Sequence, residues 1–297
     1  MFDISFITVN YNGLNDTIEL IKSIYQNCEG FKFEVIVIDN GSKRDESKEI
    51  NKQLYPNLIS IRSDINLGFS GGNNLGIKNS KGRYIFLINN DAIVIDNSIL
   101  DLVKFMDNDE NIAAASPKIK FFKPEGLIQF AGYTELSKLS VRNNLIGFNE
   151  LDTNQYNKPT ITPYTHGAAM IIRKSVIDKI GLMPEIYFLY YEELDWCTTM
   201  TNNGFSLWYF PSATIIHKES KSTGQGSYLR SFYIVRNRLL YSWRNRHGAI
   251  KYLSLLYLLS IALTKGVVHS MINNRYDLVL ANIKGAVAFF FLKNKLG

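Results

Sequence analysis

Cysteine is scarce in this sequence of 297 residues, which contains only Cys28 and Cys197. Two cysteines provide neither a disulfide framework nor the repeated Cys and His spacing of a structural zinc site. This composition is typical of a protein of the reducing cytosol. A signal peptide is not expected either, because Met1-Phe2-Asp3 lacks a basic segment and the apolar run after it is short and interrupted by Asn10.

Acidic residues are missing from a long stretch near the C-terminus, since none occurs between Ser220 and Asp277. From Lys221 onward, twelve Lys and Arg residues face one acid, a net charge of +11, so the preceding residues carry −5 of the total of +6. A basic, apolar tail on an acidic body suggests an anionic partner surface, either a membrane or a nucleic acid.

Two common phosphate-binding loops are also missing. The Gly-rich segment Asn66–Gly76 has neither the GxGxxG spacing of a dinucleotide site nor the GK[ST] ending of a P-loop. Its glycines still permit close backbone approach to a ligand, and a helix is expected to begin near Gly72. Pure turn chemistry is the alternative. A nucleotidyltransferase acting on sugar phosphates is an alternative function, and such an enzyme usually has a Gly-rich loop with Lys or Arg after its first strand. The turn Asn10–Gly13 carries no basic residue, which counts against this alternative.

Three apolar runs predict strands of a parallel sheet. They are Ile4–Val9, Phe33–Ile38 and Tyr84–Ile88. A helix over Asp16–Gln26 joins the first two as a right-handed βαβ unit. Each run ends in polar residues, which brings Asn10, Asp39 and Asp91 to one rim of the sheet, where a nucleotide and a metal can bind. A helix cap or a turn at each strand end is the alternative.

The remaining apolar runs predict further elements. Strands are predicted over Leu58–Ile61, Ile112–Ala115, Pro117–Phe122, Leu127–Gly132, Gly167–Arg173, Leu207–Pro211 and Ala213–His217, and helices over Ser98–Asp107 and Ser175–Ile180. Residues 133–163 are polar and rich in Asn. We expect them to form a long loop that contacts substrate.

An acidic cluster follows the aromatic stretch that starts at Tyr187. Glu192, Glu193 and Asp195 lie within four residues, and apolar and like-charged neighbours would raise a carboxyl pKa toward that of a general base. An acidic first helical turn facing the macrodipole is the alternative.

His217 ends a predicted strand, where it suits a diphosphate or a metal. The polar residues after it extend this cluster, namely Lys218, Lys221, Ser222 and Thr223. A lone surface histidine is the alternative.

Taken in order, these motifs resemble family 2 glycosyltransferases of the GT-A fold, in particular the bacterial rhamnosyltransferase-like branch. The resemblance covers about residues 3–245. The matching elements are Thr8–Asn12, Val37–Ser42, Asn66–Phe69 with Gly71–Asn73, Asn89–Asp91, Gly167–Ala168, Tyr191–Asp195, His217 and Arg236–Asn237. The resemblance implies an α/β catalytic domain with a nucleotide-binding half and an acceptor-binding half.

The resemblance also implies the donor site. The residues that would bind the donor nucleotide are Thr8, Asn10, Asp39, Gly72, Asn73 and Asn90. Asp39 would bind the base, and Gly72 and Asn73 would pass close to the ribose and diphosphate. Asp91 would hold a divalent cation, Mg²⁺ or Mn²⁺, as the last residue of the family's DxD motif, whose first acid is Asn89 here. His217 would contact the diphosphate or the metal.

The resemblance makes Glu193 the catalytic base, a Glu where the family commonly has Asp. Glu192 and Asp195 would orient neighbours or bind acceptor hydroxyls. The implied reaction is a single displacement with inversion, from a dTDP- or UDP-sugar to a glycan or lipid-linked acceptor. A non-enzymatic nucleic-acid binder would leave this acidic cluster unexplained, and no nucleic acid is expected as partner.

The tail predicts a helix over Tyr228–Arg246 and an apolar run, Tyr252–Thr264, that is too short to span a bilayer. We therefore expect a catalytic domain over residues 1–225, with halves at about 1–115 and 116–225, and a basic helical extension over 226–297. Peripheral contact with the anionic inner face of the cytoplasmic membrane is favoured. Packing on the catalytic domain or oligomer formation through these helices is the alternative.

Overall fold

A mixed β-sheet organises the computed structural model, which describes residues 2–219 and 227–296. The strands are β1 (Phe2–Asn10), β2 (Phe33–Asn40), β3 (Leu58–Ser63), β4 (Gly82–Ile88), β5 (Ala92–Val94), β6 (Ile112–Phe121), β7 (Ile128–Phe130), β8 (Thr160–Ile161), β9 (Ala169–Arg173) and β10 (Ser206–His217). The helices are α1 (Leu14–Asn27), α2 (Ser47–Asn51), α3 (Gly68–Asn79), α4 (Ser98–Asp107), α5 (Lys174–Ile180), α6 (Glu192–Asn202), α7 (Tyr228–Asn245), α8 (Gly248–Tyr257), α9 (Leu263–Ile272) and α10 (Tyr276–Leu296). A 3₁₀ turn spans Glu185–Tyr187, and a π-helical turn spans Leu258–Ala262.

The strand order is β3-β2-β1-β4-β9-β6-β10-β5, with β7 paired to β6 and β8 to β10. Strands β1 to β4 run parallel, and β9 is antiparallel to both β4 and β6. The predicted α/β architecture with a mostly parallel sheet is confirmed. Because Asn10 pairs in register with Asp39, the polar ends of β1 and β2 lie side by side.

Helices cover both faces of the sheet. On one face, α1 and α4 contribute buried side chains such as Leu20 and Met106 to the core. On the other face, α3, α5, α6 and α7 pack against the sheet, with Trp196 and Leu240 among the buried residues. Gly76 allows α3 to approach β1 closely, because a Cβ there would lie 2.3 Å from Cγ2 of Ile7. The core therefore fixes where the rim of the sheet meets α3.

Several predicted element bounds differ from the structure. The predicted strands on either side of Ser116 form one strand, β6, and those on either side of Ser212 form β10. Strand β10 continues past its proline because its pairing with β6 shifts register between Phe210 and Thr214, and a bulge tolerates a residue without an N–H. Helix α3 starts at Gly68, four residues before the predicted start.

The tail is helical but longer in its apolar part than predicted. A continuous helix runs over Gly248–Ile272, 25 residues with a mean hydropathy of 1.6 in its most apolar window, which is long and apolar enough to cross a membrane. The prediction of a run too short to span was wrong, because the helix continues through Lys265. Helix α10 packs on α7, where a Cβ on Gly285 would lie 2.5 Å from the carbonyl oxygen of Phe232. The expected domain boundary at 225/226 falls outside the described residues.

Candidate active site

The carboxyl ends of β1 and β2 form a buried polar cluster. The Asp39 carboxylate has no exposed surface, and it accepts hydrogen bonds from Nη1 of Arg62 and from the backbone N–H of Glu46 at 3.1 Å. The Asn10 side chain donates to Oε2 of Glu46 at 2.7 Å and accepts from Oγ1 of Thr17 at 2.9 Å. Arg62 is thus a site residue that the sequence analysis missed, although β3 pairs it in register with Asp39.

The Gly-rich segment is held to the end of β2 by Asn40. Its side chain accepts a hydrogen bond from the Leu67 N–H at 2.9 Å and donates to the Gly68 carbonyl at 3.1 Å. Gly68 has a φ of +74°, and a Cβ there would lie 2.2 Å from the carbonyl oxygen of Phe188. That same oxygen accepts from the N–H of Phe69 at 2.7 Å. The start of α3 therefore touches the segment that leads to the acidic cluster.

Gly72 and Asn73 lie one turn further along α3, and both are buried. A Cβ on Gly72 would lie 2.9 Å from Cγ1 of Val9, so this glycine lets α3 pack against the end of β1. The Asn73 side chain donates to the carbonyl of Phe69 at 2.9 Å. Within the described part of the chain, Oγ1 of Thr8 and Oγ of Ser70 are buried without a hydrogen-bond partner, which is uncommon for buried polar groups.

Asp91 and His217 meet although 126 residues separate them, with Oδ1 of Asp91 3.0 Å from Nε2 of His217. Nδ1 of His217 donates to Oε1 of Gln129 at 2.8 Å, which leaves Nε2 directed at the carboxylate. The Asn89 side chain lies 3.3 Å from the same Nε2. Asn90 points elsewhere, because its Nδ2 lies 3.1 Å from Oγ1 of Thr17 in α1.

These residues fit a divalent cation that takes few protein ligands. Residues 2–219 and 227–296 contain no group of three His, Cys, Asp or Glu side chains arranged around one point. Asp91 and His217 would supply one oxygen and one nitrogen, and diphosphate oxygens and water would complete the shell, as is common for Mg²⁺. The neutral side chain of Asn89 adds no charge to this pair.

Lys218 is committed to an ion pair. Its Nζ lies 2.6 Å from Oδ1 of Asp16 and 2.7 Å from Oε2 of Glu19, both on α1. Its backbone N–H donates to the carbonyl of Asp91 at 3.0 Å. Lys218 therefore ties the end of β10 to α1. The other polar residues predicted to accompany it fall outside the described residues, namely Lys221, Ser222 and Thr223.

The three acids of α6 face different surroundings. Glu193 is half-buried, and a Cβ on Gly167 would lie 3.9 Å from its carboxyl carbon. Burial raises the pKa of Glu193. Glu192 is 2% exposed, and burial together with the charge of Glu193 raises its pKa well above the ordinary value. Asp195 instead accepts hydrogen bonds from the Tyr187 hydroxyl at 2.6 Å and from Nε of Arg244 at 2.7 Å.

The segment before α6 has an unusual backbone that α7 stabilises. Phe188, Tyr190 and Tyr191 have φ values of +63°, +70° and +77°, a region that costs energy for residues with a side chain. Nδ2 of Asn237, which is fully buried, lies 2.7 Å from the carbonyl oxygen of Leu189 and 2.8 Å from that of Tyr190. Helix α7 thereby fixes the direction in which α6 presents its acids.

A neutral histidine completes the neighbourhood. Nδ1 of His166 accepts a hydrogen bond from the N–H of Ala168 at 3.1 Å, and its ring stacks on Tyr133. Burial, and then the charge of His217, lower the pKa of His166 to about 3. The ring therefore stays neutral and keeps its proton on Nε2 as a donor. The sequence analysis missed this residue, although it directly precedes the Gly167–Ala168 motif.

A sequence model of the family described as glycosyl transferase family 2 matches residues 5–181, more than half of the chain. The chain belongs to glycosyl transferase family 2. The matched region holds the polar rim and the Gly-rich segment of this glycosyltransferase, whereas Glu193 and His217 lie beyond it. The resemblance inferred from the sequence motifs is confirmed.

Two curated relatives of this family 2 glycosyltransferase are a hexosyltransferase and a dTDP-rhamnosyl transferase. It is 28% identical over 250 residues to the low-salt glycan biosynthesis hexosyltransferase Agl10 of Haloferax volcanii, covering 81% of this chain and 75% of that one. It is 26% identical over 257 residues to the dTDP-rhamnosyl transferase RfbF of Shigella flexneri, covering 80% and 79%.

Solved structures similar to the glycosyltransferase confirm the GT-A fold. GalNAc-T7, solved with UDP, GalNAc and Mn²⁺, superposes with a TM-score of 0.65 at 16% identity, over 88% of this chain and 57% of that one. The mannosyltransferase PcManGT of Pyrobaculum calidifontis, solved with GDP-Man and Mn²⁺, gives 0.61 at 14% identity, over 99% and 88%.

Proposed function

We propose that this glycosyltransferase moves a sugar from a nucleoside-diphosphate donor, a dTDP- or UDP-sugar, to a hydroxyl of a glycan or lipid-linked acceptor, with inversion at the anomeric carbon. The observation that carries the proposal is the position of Glu193. Its half-buried carboxyl, with a raised pKa, lies against Gly167 and near Phe69 of α3. The similarity to a dTDP-rhamnosyl transferase favours rhamnose as the transferred sugar.

On the donor side, we assign the nucleotide to the rim formed by β1, β2 and α3. Asp39 is held by Arg62 and by the backbone N–H of Glu46, and it would form the part of the pocket that contacts the base. The residues that would line the rest of the pocket are Thr8, Asn10, Gly72, Asn73 and Asn90. Asp91 and His217 would hold a Mg²⁺ or Mn²⁺ ion on the diphosphate. When bound, such a cation offsets negative charge on the leaving nucleoside diphosphate.

In the reaction, Glu193 takes the proton of the acceptor hydroxyl. The acceptor oxygen attacks the anomeric carbon, and the bond to the diphosphate breaks. The raised pKa of the buried Glu192 favours its protonated form, which limits the negative charge beside Glu193. Asp195 would position α6 through Tyr187 and Arg244 rather than contact the acceptor.

We assign the protein to the cytoplasmic face of the membrane. Helices α8 to α10 expose many large apolar side chains. The most exposed of these are Tyr252, Leu256, Ile272, Tyr276 and Phe291. Lys251 and Lys293 both lie against the ring of Trp243, as is common for aromatic and basic residues at a membrane interface. A subunit contact through the same helices is the alternative, and sedimentation with and without vesicles separates the two.

The test is thermal stabilisation by nucleotides and nucleotide-sugars, each with and without Mg²⁺ or Mn²⁺, followed by transfer assays with the sugar that stabilises most. We expect the variant Glu193→Gln to keep the donor-induced stabilisation and to lose transfer. Undiminished turnover in this variant would remove Glu193 from the role of base. The absence of any stabilisation at millimolar ligand with metal would contradict the whole proposal.

A further inference from the structure

A cavity of about 220 Å³ lies between the loop after β7 and helices α7, α9 and α10, apart from the polar rim. Three arginines line it, Arg142, Arg230 and Arg238. We propose that this cavity binds the phosphate group of an amphiphilic acceptor, a sugar joined through phosphate or diphosphate to an apolar chain. This inference rests on the proposed function and specifies the class of its acceptor.

The positive charge of its three arginines makes the cavity suited to an anion. Arg238 is 6% exposed, and its Nε and Nη2 donate to the Ser140 carbonyl at 3.2 and 2.6 Å, which fixes the guanidinium. Burial, and the nearby charge of Arg142, lower the pKa of Arg238. Among the described residues, no carboxylate forms an ion pair with any of the three arginines. Guanidinium groups gathered in this way match the oxygens of a phosphate.

The remaining walls are apolar and are provided by helices with exposed apolar surfaces. Leu239 comes from α7, Leu258 and Ala262 from the π-helical turn, and Leu263 from α9. π-helical turns within α-helices are rare and often occur at functional sites. An apolar lining contributes nothing to the binding of a phosphate alone. An apolar chain attached to the phosphate would contact this lining and continue along α8 and α9 toward their exposed leucines and isoleucines.

Tyr191 connects this cavity with the catalytic base. Its hydroxyl donates to the carbonyl of Val141 at 2.9 Å, beside Arg142. The charge of Arg238 lowers the pKa of this hydroxyl and the charge of Glu193 raises it, so both groups lie near Tyr191. In this proposal, an acceptor whose phosphate contacts the arginines extends its sugar past Tyr191 toward the carboxylate of Glu193.

The chemistry balances without a further reactant. The new bond joins the acceptor oxygen to the donor's anomeric carbon, and the bond between that carbon and the nucleoside diphosphate breaks. The proton of the acceptor hydroxyl goes to Glu193. The phosphate held by the arginines keeps all its bonds, so these residues are binding residues rather than catalytic ones.

The experiment measures binding of geranylgeranyl phosphate, carried in phosphatidylcholine vesicles, to the full chain and to the double variant Arg142→Gln, Arg230→Gln. Arg238 is left unchanged because it is buried, and its substitution could disturb folding. We expect the double variant to bind about tenfold or more weakly, because it loses two charged hydrogen-bond donors to the phosphate oxygens. The variant Lys78→Gln, which removes an exposed charge on α3, serves as the matched control and should bind as the unmodified protein does.

A second variant, Ala262→Phe, fills the cavity without changing its charge and should also weaken binding. Equal binding of uncharged geranylgeraniol would overturn the proposal. So would equally tight, arginine-dependent binding of phosphatidylglycerol vesicles, which would assign the arginines to bulk lipid. Donor-induced thermal stabilisation, measured on the same samples, separates the two failures. If it persists while geranylgeranyl phosphate does not bind, only this inference fails.

Discussion

The contact of Asn237 with the segment before α6 leads to a quantitative prediction for Asn237→Leu, a substitution of similar size. The amide has two N–H donors, which serve the carbonyls of Leu189 and Tyr190 at 2.7 and 2.8 Å, and a third carbonyl, that of Tyr187, lies at 3.1 Å. Each buried hydrogen bond contributes about 1 kcal/mol, and leaving a buried acceptor without its donor costs more. We expect the free energy of unfolding to fall by about 3 kcal/mol.

The same variant should lose activity beyond its loss of stability. Tyr190 and Tyr191 would be released from their positive φ values, and Glu193 would move with the start of α6. A displacement of about 1 Å costs about 100-fold in rate, so kcat should fall while donor-induced stabilisation persists. Urea denaturation and steady-state transfer assays at a temperature where the variant is folded provide the two measurements.

The matched control for this prediction is Asn79→Leu. Its side chain makes one exposed hydrogen bond to the carbonyl of Leu75 at 2.8 Å. We expect a change in stability below about 0.5 kcal/mol. If Asn237→Leu changes stability as little as the control and keeps full turnover, then α7 does not hold the catalytic segment and the reasoning is wrong.

Three further predictions concern ionisable groups. In Asp91→Ala, the additional thermal stabilisation that Mg²⁺ gives to donor binding should disappear, and an unchanged Mg²⁺ effect would contradict its role as a ligand. Arg62→Ala leaves the buried Asp39 carboxylate without its charged partner and should cost about 3 kcal/mol in urea denaturation. Lys52→Ala at an exposed ion pair should cost under about 1 kcal/mol, and similar losses in the two variants would refute this difference. Because the folded pKa of Glu192 is raised above 4.5, stability should fall as the pH rises above that value. Glu192→Gln should reduce this fall in the free energy of unfolding, and an identical pH profile in the variant would refute the contribution of Glu192.

Much of the nucleotide-binding half could be predicted from the sequence because its elements are local. An apolar run followed by Asn or Asp marks the end of β1, β2 and β4 directly. The antiparallel direction of β9 could not be predicted, since a strand buried on both faces shows the same apolar run in either direction. The breaks predicted at Ser116 and Ser212 are absent, because β6 and β10 pair with each other along their length and a bulge accommodates Pro211.

Contacts between distant parts of the chain could not be predicted either, because the sequence does not show which segments lie together in the fold. Arg62 follows a predicted strand and His166 precedes the Gly167–Ala168 motif, but only the folded sheet brings them near Asp39 and His217. The length of the helix that begins at Gly248 was underestimated because Lys265 was taken as its end. A lysine ends an apolar run in the sequence, but its long side chain can reach the helix surface without ending the helix.

The three residues of β5 constrain how this protein can vary in length. Antiparallel pairing sets His217 opposite Ala92, and this register brings the imidazole to the adjacent Asp91. Because side chains alternate between faces, a slip of one residue would send His217 to the opposite side of the sheet. Relatives should therefore carry insertions in the loop of residues 133–163 rather than after Thr214. A single-residue deletion between Thr214 and His217 should remove the Mg²⁺ response and leave the rest of the sheet in place.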